Sequence, residues 1–311
     1  MEERETSNKK KILFLLFLAP IMGEVLSGST PLFEFFHPLV LMLLLGLYGV
    51  GALLFRELIV RWNKGYASLL IAGLAYGILE EGIILKSFFN PGWVDVGVLG
   101  VYGRFLDVNW IWVAMLMIFH SLISISTPVM LTDLVFPEIR GKSLLSDGLI
   151  KVLIVVLAID GFLFNIMTPY QPSILHYIVF AGLMVVLLHI AKKYPENYGT
   201  NESIKGPILI SMFMVWAFIL LVPHLLRVLG MPALFDFLIL IALFVWFFLE
   251  FQKYDMNNIT NVYGFAAGIT FGVASYAILA DVILSLQFIG CSIVGIIFII
   301  WMIHLKKNLN I

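Results

Sequence analysis

Two adjacent carboxylates, Glu80 and Glu81, stand inside an otherwise apolar stretch of the sequence. Ionisable side chains are costly inside a bilayer, so those that occur there are candidates for function. Paired carboxylates in an apolar setting suit general-base catalysis or the carriage of protons. The same side chains could instead be neutralised by Lys86, Arg104 or backbone donors, and the sequence leaves both interpretations open.

A second polar feature is centred on His120, about 10 residues after Trp110, a residue type that marks the membrane interface. At about 1.5 Å of rise per residue, a helix would carry His120 roughly 15 Å below that interface. Ser124, Thr127 and Pro128 continue the same helix face and predict a polar cavity wall. Alternatively, His120 bonds to a neighbouring helix, while Ser124 and Thr127 bond back to their own backbone.

The composition indicates that membrane helices must position these side chains. The chain has 311 residues, of which 61% are apolar and 13% charged, and its mean hydropathy is +1.02. Soluble domains carry about 25% charged residues, so a soluble fold is excluded and the lipid bilayer is the predicted partner. Nineteen Lys and Arg against 20 Asp and Glu give no excess of positive charge for binding nucleic acid. The single cysteine, Cys291, excludes an intramolecular disulfide.

About 20 apolar residues cross a bilayer as a helix, which satisfies every backbone polar group internally. We therefore predict an all-α, polytopic transmembrane bundle of about ten helices that forms one integral membrane domain over residues 1–311. The predicted spans are 12–28, 39–60, 66–85, 110–136, 149–168, 173–191, 207–228, 232–252, 262–282 and 286–305. The first span follows Lys9–Lys11 and resembles a signal peptide, but we interpret it as a retained helix because a polytopic chain follows.

The placement of Lys and Arg predicts the orientation, since cytoplasmic loops carry the excess of these residues. With a cytoplasmic N-terminus, only Lys86, Arg104 and Arg227 of the 19 fall on the outer side. Both termini are thus predicted in the cytoplasm of a multi-pass cell-membrane protein. Residues 1–11 form a cytoplasmic tail, and residues 86–109 form a long outer loop. Such a loop is either functional and partly re-entrant or a lid that lies in the headgroup region on its Trp and Phe residues.

Other ionisable residues lie near the ends of the predicted spans. Arg56 and Glu57, beside Arg61, are interpreted as anchors at the cytoplasmic interface. Asp160 is interpreted as the partner in an interhelical hydrogen bond, and Glu24 as a candidate for the wall of an entrance. These residues add no further catalytic prediction.

Two stretches of the sequence resemble each other at an offset of 200 residues, Tyr76–Glu81 and Tyr276–Asp281. Both come with small residues spaced four apart, at Gly73 and Gly77 and at Gly264, Gly268 and Gly272. The match is either a coincidence, because membrane segments use few residue types, or a parallel repeat in which spans eight to ten correspond to spans two to four. The repeat predicts a cavity between the two halves, with Glu81 related to Asp281.

A membrane-embedded glutamate pair on one helix and a histidine on the next resembles the CAAX prenyl protease family and its bacterial relatives. The resemblance covers Leu79–Ser124 and assigns Glu80 and Glu81 to the glutamate pair of the family and His120 to the histidine of its second motif. It implies hydrolysis near the membrane, with Glu and His activating water, and a lipid-linked or peptide substrate.

The sequence also departs from that family. Leu85 stands where the first motif has Arg, Leu116 stands where the second has Phe, and the third motif, His with Asn four residues later, is absent. The predicted orientation places the glutamates toward the outer face, whereas the family acts from the cytosolic side.

Two functions stay open: a hydrolase with Glu80, Glu81 and His120 as catalytic residues, and a secondary transporter or proton-coupled carrier that uses the same carboxylates. A third possibility is a structural subunit, and no nucleotide, dinucleotide or zinc motif names a cofactor.

Overall fold

The computed structural model describes residues 2–196, 198–284 and 289–311 as a bundle of long helices. In chain order they are α1 (Glu2–Pro20), α2 (Pro38–Arg61), α3 (Tyr66–Ile84), α4 (Trp110–Val135), α5 (Asp147–Met167), α6 (Ile174–Lys193), α7 (Lys205–Val228), α8 (Ala233–Gln252), α9 (Ile259–Leu284) and α10 (Ile289–Asn308). A π-helical turn, Ile21–Val25, continues α1, and a short helix, Leu32–Phe35, precedes α2. The predicted all-α fold is confirmed.

Nine helices in the described part of the chain, α2 to α10, are long and apolar enough to cross a membrane. They coincide with the second to tenth predicted spans, except that residues 286–288 of the last span lie outside the described residues. The polytopic architecture is thereby confirmed. The first predicted span lies on α1 and its π-helical turn, where Lys9–Lys11 and Glu24 keep the segment more charged than the other nine. A membrane crossing by this first predicted span, which would make ten in all, stays a prediction.

The helices form an inner and an outer layer. The most apolar stretches of α3 and α4 are each 83% buried, whereas that of α5 is 6% buried. Side chains such as Phe162 on α5 and Ile178 on α6 are left exposed and form a surface suited to lipid. Helix pairs approach closely where one of them has glycine: a Cβ at Gly268 of α9 would stand 2.5 Å from a carbonyl oxygen of α7.

Contacts between loops agree with the predicted alternation of the spans. The Lys64 ammonium, between α2 and α3, donates to the Tyr194 carbonyl after α6 at 2.8 Å. At the other end of the bundle, the Tyr102 hydroxyl of the outer loop donates to the Met231 carbonyl, between α7 and α8, at 3.1 Å. Loops predicted on one side of the membrane therefore meet one another. Which side is cytoplasmic stays a prediction.

The interpretation of Arg56 and Glu57 as interface anchors is wrong, because both side chains are only 2% exposed. Arg56 donates to Asp133 at 3.2 Å and to the Ile139 carbonyl at 2.8 Å. Glu57 accepts from the Leu144 amide at 3.0 Å. The segment after α4 folds back against the end of α2, so these charges are satisfied by the chain itself rather than by lipid headgroups.

The predicted outer loop has structure of its own. It contains a 3₁₀ helix, Val94–Leu99, and two short antiparallel strands, β1 (Arg104–Phe105) and β2 (Val108–Asn109). Leu106 and Asp107 turn the chain between the strands with φ of 51° and 59°. The Asn109 amide also donates to the Phe88 carbonyl at 2.9 Å, which ties the hairpin to the first residues of the loop.

Candidate functional site

Two π-helical turns position the predicted site residues. Glu80 and Glu81 lie in the turn Ile78–Ile84 of α3, and His120 begins the turn His120–Ser126 of α4. Turns of this kind widen a helix locally and are frequent at functional sites. Regular helical spacing predicts that adjacent side chains diverge by about 100°. In this wider turn, both glutamates instead reach the same imidazole ring.

The imidazole of His120 lies between the two carboxylates. Its Nδ1 atom is 3.3 Å from Glu80 Oε2, and its Nε2 atom is 3.2 Å from Glu81 Oε1. The Ser124 hydroxyl lies 3.0 Å from Nδ1, so Ser124 faces His120 as the spacing predicted. Thr127 instead donates to the Leu122 carbonyl at 2.6 Å, which is the alternative that the sequence left open. The structure thus brings Glu80, Glu81 and His120 together, and their chemical role stays a prediction.

The two carboxylates differ in their remaining partners. Glu81 accepts a hydrogen bond from the Ser87 hydroxyl, which in turn accepts from the Trp112 indole at 3.1 Å. The Glu80 oxygens make no hydrogen bond of normal geometry with the described residues; His120 Nδ1 lies 3.3 Å from Oε2, and the rings of Tyr48 and Tyr76 pack beside that imidazole. Glu81 is therefore held in place through its second oxygen, while Glu80 is a buried acceptor that faces His120.

The two cations proposed as alternative partners of the glutamates bond elsewhere. Lys86 is fully buried and donates to the Thr168 carbonyl at 2.6 Å. Burial lowers the pKa of the Lys86 ammonium below its ordinary value. Arg104 donates to the Phe89 carbonyl at 2.8 Å. In the described part of the chain, the negative charge of the cluster is therefore opposed only by His120.

Small residues on α3 allow this approach of the two helices. A Cβ at Gly73 would stand 2.6 Å from the Cα of Ser121, and one at Gly77 would stand 2.9 Å from the Cα of Met117. The backbones of α3 and α4 thus come together one turn below the glutamates. The glycine spacing identified in the sequence positions Glu80 and Glu81 against His120.

We expect Gly73→Val to force α3 away from α4, because the added atoms meet backbone that has no room to move. Overpacking of this kind costs about 1–3 kcal/mol, so the apparent Tm of the purified protein should fall by several degrees. Gly182→Val on α6 is the matched control, since a Cβ there meets nothing within 4 Å. Equal Tm values for the two variants in a fluorescence size-exclusion assay would contradict this packing.

The cluster lies in the wall of a cavity of about 730 Å³. Most of its lining is apolar, with a few polar groups that converge near His120, an arrangement typical of small-molecule sites. Residues of the 3₁₀ segment in the predicted outer loop line one side, and Tyr276 and Cys291 extend the wall to α9 and α10. The role of this loop as a lid stays a prediction. The ionisable lining residues are Glu24, Glu80, Glu81, Asp95, His120 and His224.

The same three residues offer a metal-ion geometry. One ligand atom from each of Glu80, Glu81 and His120 lies within 4.8 Å of the others. Two carboxylates and an imidazole are ligands that zinc and other divalent ions accept, and three protein ligands leave a position for water. The cluster could therefore hold such an ion.

Sequence reasoning missed two members of the site. Tyr48 of α2 packs its ring 5.9 Å from that of His120, and Ser87 holds Glu81. Tyr48 lies between Gly46 and Gly49 in the stretch 38–55, which is otherwise apolar, and this single hydroxyl was the available signal. Ser87 follows α3 and could not be placed without the turn that returns the chain to Glu81.

The glycines of the suspected repeat contact helices that are not equivalent. Gly73 and Gly77 of α3 pack against α4, whereas Gly268 and Gly272 of α9 pack against Ile208 and Val215 of α7. Under the repeat, the counterpart of α4 would be α10. Asp281 accepts a hydrogen bond from Ser292 of α10. The packing of the glycines thus gives the repeat no support, and the relation of Glu81 to Asp281 stays a prediction.

Comparison with known proteins gives one result. A family model described as an uncharacterized membrane protein family matches residues 13–307. No curated protein and no solved structure matches the chain.

Proposed function

Because the chain belongs to this uncharacterized membrane protein family, the family supplies no activity, and we propose a function from the site of the chain itself. We propose that the protein is an intramembrane hydrolase of the cell membrane that resembles the CAAX prenyl proteases. The observation that carries the proposal is the contact of His120 with both glutamates in the wall of the cavity. The substrate would be a lipid-linked molecule or a peptide whose amide or ester bond enters this cavity. Apolar walls around a few polar groups support a substrate of this kind.

The burial of the two glutamates supports different roles for them. The Glu81 side chain is 9% exposed and that of Glu80 is 0% exposed, so water reaches Glu81 more readily. Glu81 is therefore the proposed general base. Glu80 faces Nδ1 on the opposite side of the ring and is the proposed positioning residue for His120. The contact of Nε2 with Glu81 Oε1 puts both groups within reach of one water molecule.

The proposed reaction has two steps. Glu81 takes a proton from water as the water oxygen bonds to the carbonyl carbon, and the carbonyl electron pair moves onto the carbonyl oxygen. Once Glu81 has taken up the proton and its negative charge is lost, the Nε2–H group of His120 turns from that carboxyl to the oxyanion and donates a hydrogen bond to it. When the intermediate collapses, the C–N or C–O bond breaks and the proton on Glu81 passes to the leaving amine or alcohol. Atoms and charge balance without another reactant.

The test is hydrolysis by the purified protein of fluorogenic peptide amides and acyl esters, with and without an attached alkyl or prenyl chain. We expect the wild type to cleave at least one of these substrates and His120→Ala to lose that activity, because the oxyanion loses its donor. His189→Ala is the control, since His189 is exposed on α6. The proposal is overturned if the wild type cleaves none of them, or if His120→Ala cleaves as fast as His189→Ala.

One observation favours a second candidate function, a secondary transporter or proton-coupled carrier. The cavity reaches from α3 and α4 to Tyr276 of α9 and Cys291 of α10, so helices from both halves of the chain line it, as in carriers whose substrate site lies between two halves. In this case the carboxylates bind and release protons and no bond is broken. A wild type that cleaves no substrate in the panel, yet changes the pH inside proteoliposomes when a substrate is added, would favour transport.

A further inference from the structure

The cavity has an unbalanced set of charges. Four carboxylates, those of Glu24, Glu80, Glu81 and Asp95, line it, and no lysine or arginine occurs among the described lining residues. His120 and His224 are the only other ionisable groups of the described lining apart from tyrosine and cysteine. A cleft lined by one sign of charge between low-dielectric walls attracts ligands of the opposite sign.

Glu80 supplies a second, independent observation. Its side chain is 0% exposed, and neither of its oxygens makes a hydrogen bond of normal geometry with the described residues. A buried polar group that is not fully satisfied is costly, and native structures satisfy nearly all such groups. Beyond its 3.3 Å contact with His120, the Glu80 carboxylate therefore retains acceptor capacity that the donor or positive charge of a bound molecule would satisfy.

The size and walls of the cavity indicate what kind of cation fits. At about 730 Å³, the space is far larger than a single metal ion and falls in the range of small-molecule sites, roughly 300–1,000 Å³. Tyr48, Trp93 and Trp112 are among its lining residues, and aromatic faces attract organic cations. The carboxylates also extend from α1 to the outer loop rather than surrounding one point. An organic cation with an apolar body fits these features better than a bare metal ion.

We propose that the cavity binds an apolar molecule that carries a positive charge, such as an alkyl or aryl ammonium group, and rejects anionic amphiphiles. The inference rests on the proposed function in one respect only, that the bound molecule is taken to be the substrate of the hydrolase. The preference for a cation is a property of binding and requires no bond cleavage. It can therefore be tested separately from the reaction.

Tetraphenylphosphonium and tetraphenylborate are suitable probes, because they match closely in size and shape and differ in the sign of their charge. Equilibrium dialysis against the purified protein in a nonionic detergent measures both. We expect the phosphonium to bind at least about tenfold more tightly to the wild type than to Glu24→Gln, the factor that a charge roughly 10 Å from the cation would give at an effective dielectric constant of about 20. Tetraphenylborate binding should not weaken. The control is Glu34→Gln, which neutralises an exposed carboxylate before α2.

Asp95→Asn serves as a second variant if Glu24→Gln does not fold, because Asp95 lies in an exposed part of the outer loop. Equal phosphonium affinity in the wild type and the folded variant would overturn the proposal. So would a stoichiometric divalent metal ion in the purified protein together with no binding of the phosphonium. Hydrolysis by a wild type that shows no preference for the cation would overturn this inference alone and leave the proposed function standing.

Discussion

We expect Glu81→Gln to hydrolyse a substrate about 10²–10⁴-fold more slowly than the wild type, the range over which a positioned general base accelerates proton transfer. Gln keeps the size of the side chain and its hydrogen bonds to His120 and Ser87, but it cannot take a proton. The substrate should therefore still bind. The measurement is kcat and KM with purified protein, and kcat and kcat/KM should fall together while KM stays near its wild-type value.

The variant Glu80→Gln tests whether Glu80 positions His120, as proposed, or is itself the general base. Glu80 faces His120 through Nδ1, away from the proposed water, so its loss should have the smaller effect on kcat. It should also alter the pH profile of kcat/KM, since a charge beside the imidazole is removed. Glu34→Gln is the control for removing a carboxylate outside the cavity. If Glu80→Gln lost more activity than Glu81→Gln, the two roles would have to be exchanged.

Most of the helices could be predicted because the bilayer imposes their length. Spans two to nine and the described part of span ten each coincide with a helix, since about 20 apolar residues in a row have one stable form in lipid. The first span is different. Lys11 at its start is buried and bonds to Glu138 at 2.8 Å, so contacts within the protein decide its environment. Apolar length alone does not predict such contacts.

The sequence predicted which residues form the site but not how they are arranged. Glu80, Glu81 and His120 stand out because charge is rare in their surroundings, and the glycines beside them predicted a close helix contact. No residue pattern indicates that π-helical turns bring the adjacent glutamates to the two nitrogens of one ring. Regular helical geometry predicts the opposite, because such turns depend on packing across helices rather than on local residue preference.

Arg56 illustrates the other limit of sequence reasoning. A cationic side chain near the cytoplasmic end of a span is usually an interface anchor, and the sequence carries no information that distinguishes a buried exception. The structure surrounds Arg56 with Asp133 and with the carbonyls of Ile139 and Lys142. These partners lie 77 to 86 residues away in the chain, beyond the reach of any local pattern.

That burial predicts a large loss of stability in Arg56→Met. The substitution keeps an unbranched apolar side chain but leaves the Asp133 carboxylate without the Arg56 cation and removes one donor from each of the Ile139 and Lys142 carbonyls. Breaking a buried ion pair from one side costs about 3–5 kcal/mol. The expected result is a marked fall in the free energy of unfolding, measured by denaturant titration in detergent micelles.

Lys253→Met is the matched control, because Lys253 is 55% exposed and its partner Glu250, at 2.7 Å, lies at the exposed end of α8. Exposed pairs contribute about 0–1 kcal/mol, so this variant should remain close to the wild type. The double variant Arg56→Met with Asp133→Leu should recover part of the loss, since the uncompensated carboxylate is then removed as well. If Arg56→Met and Lys253→Met were equally stable, the segment after α4 would not be held by Arg56, and its charge would be satisfied by water or lipid headgroups as the sequence alone predicts.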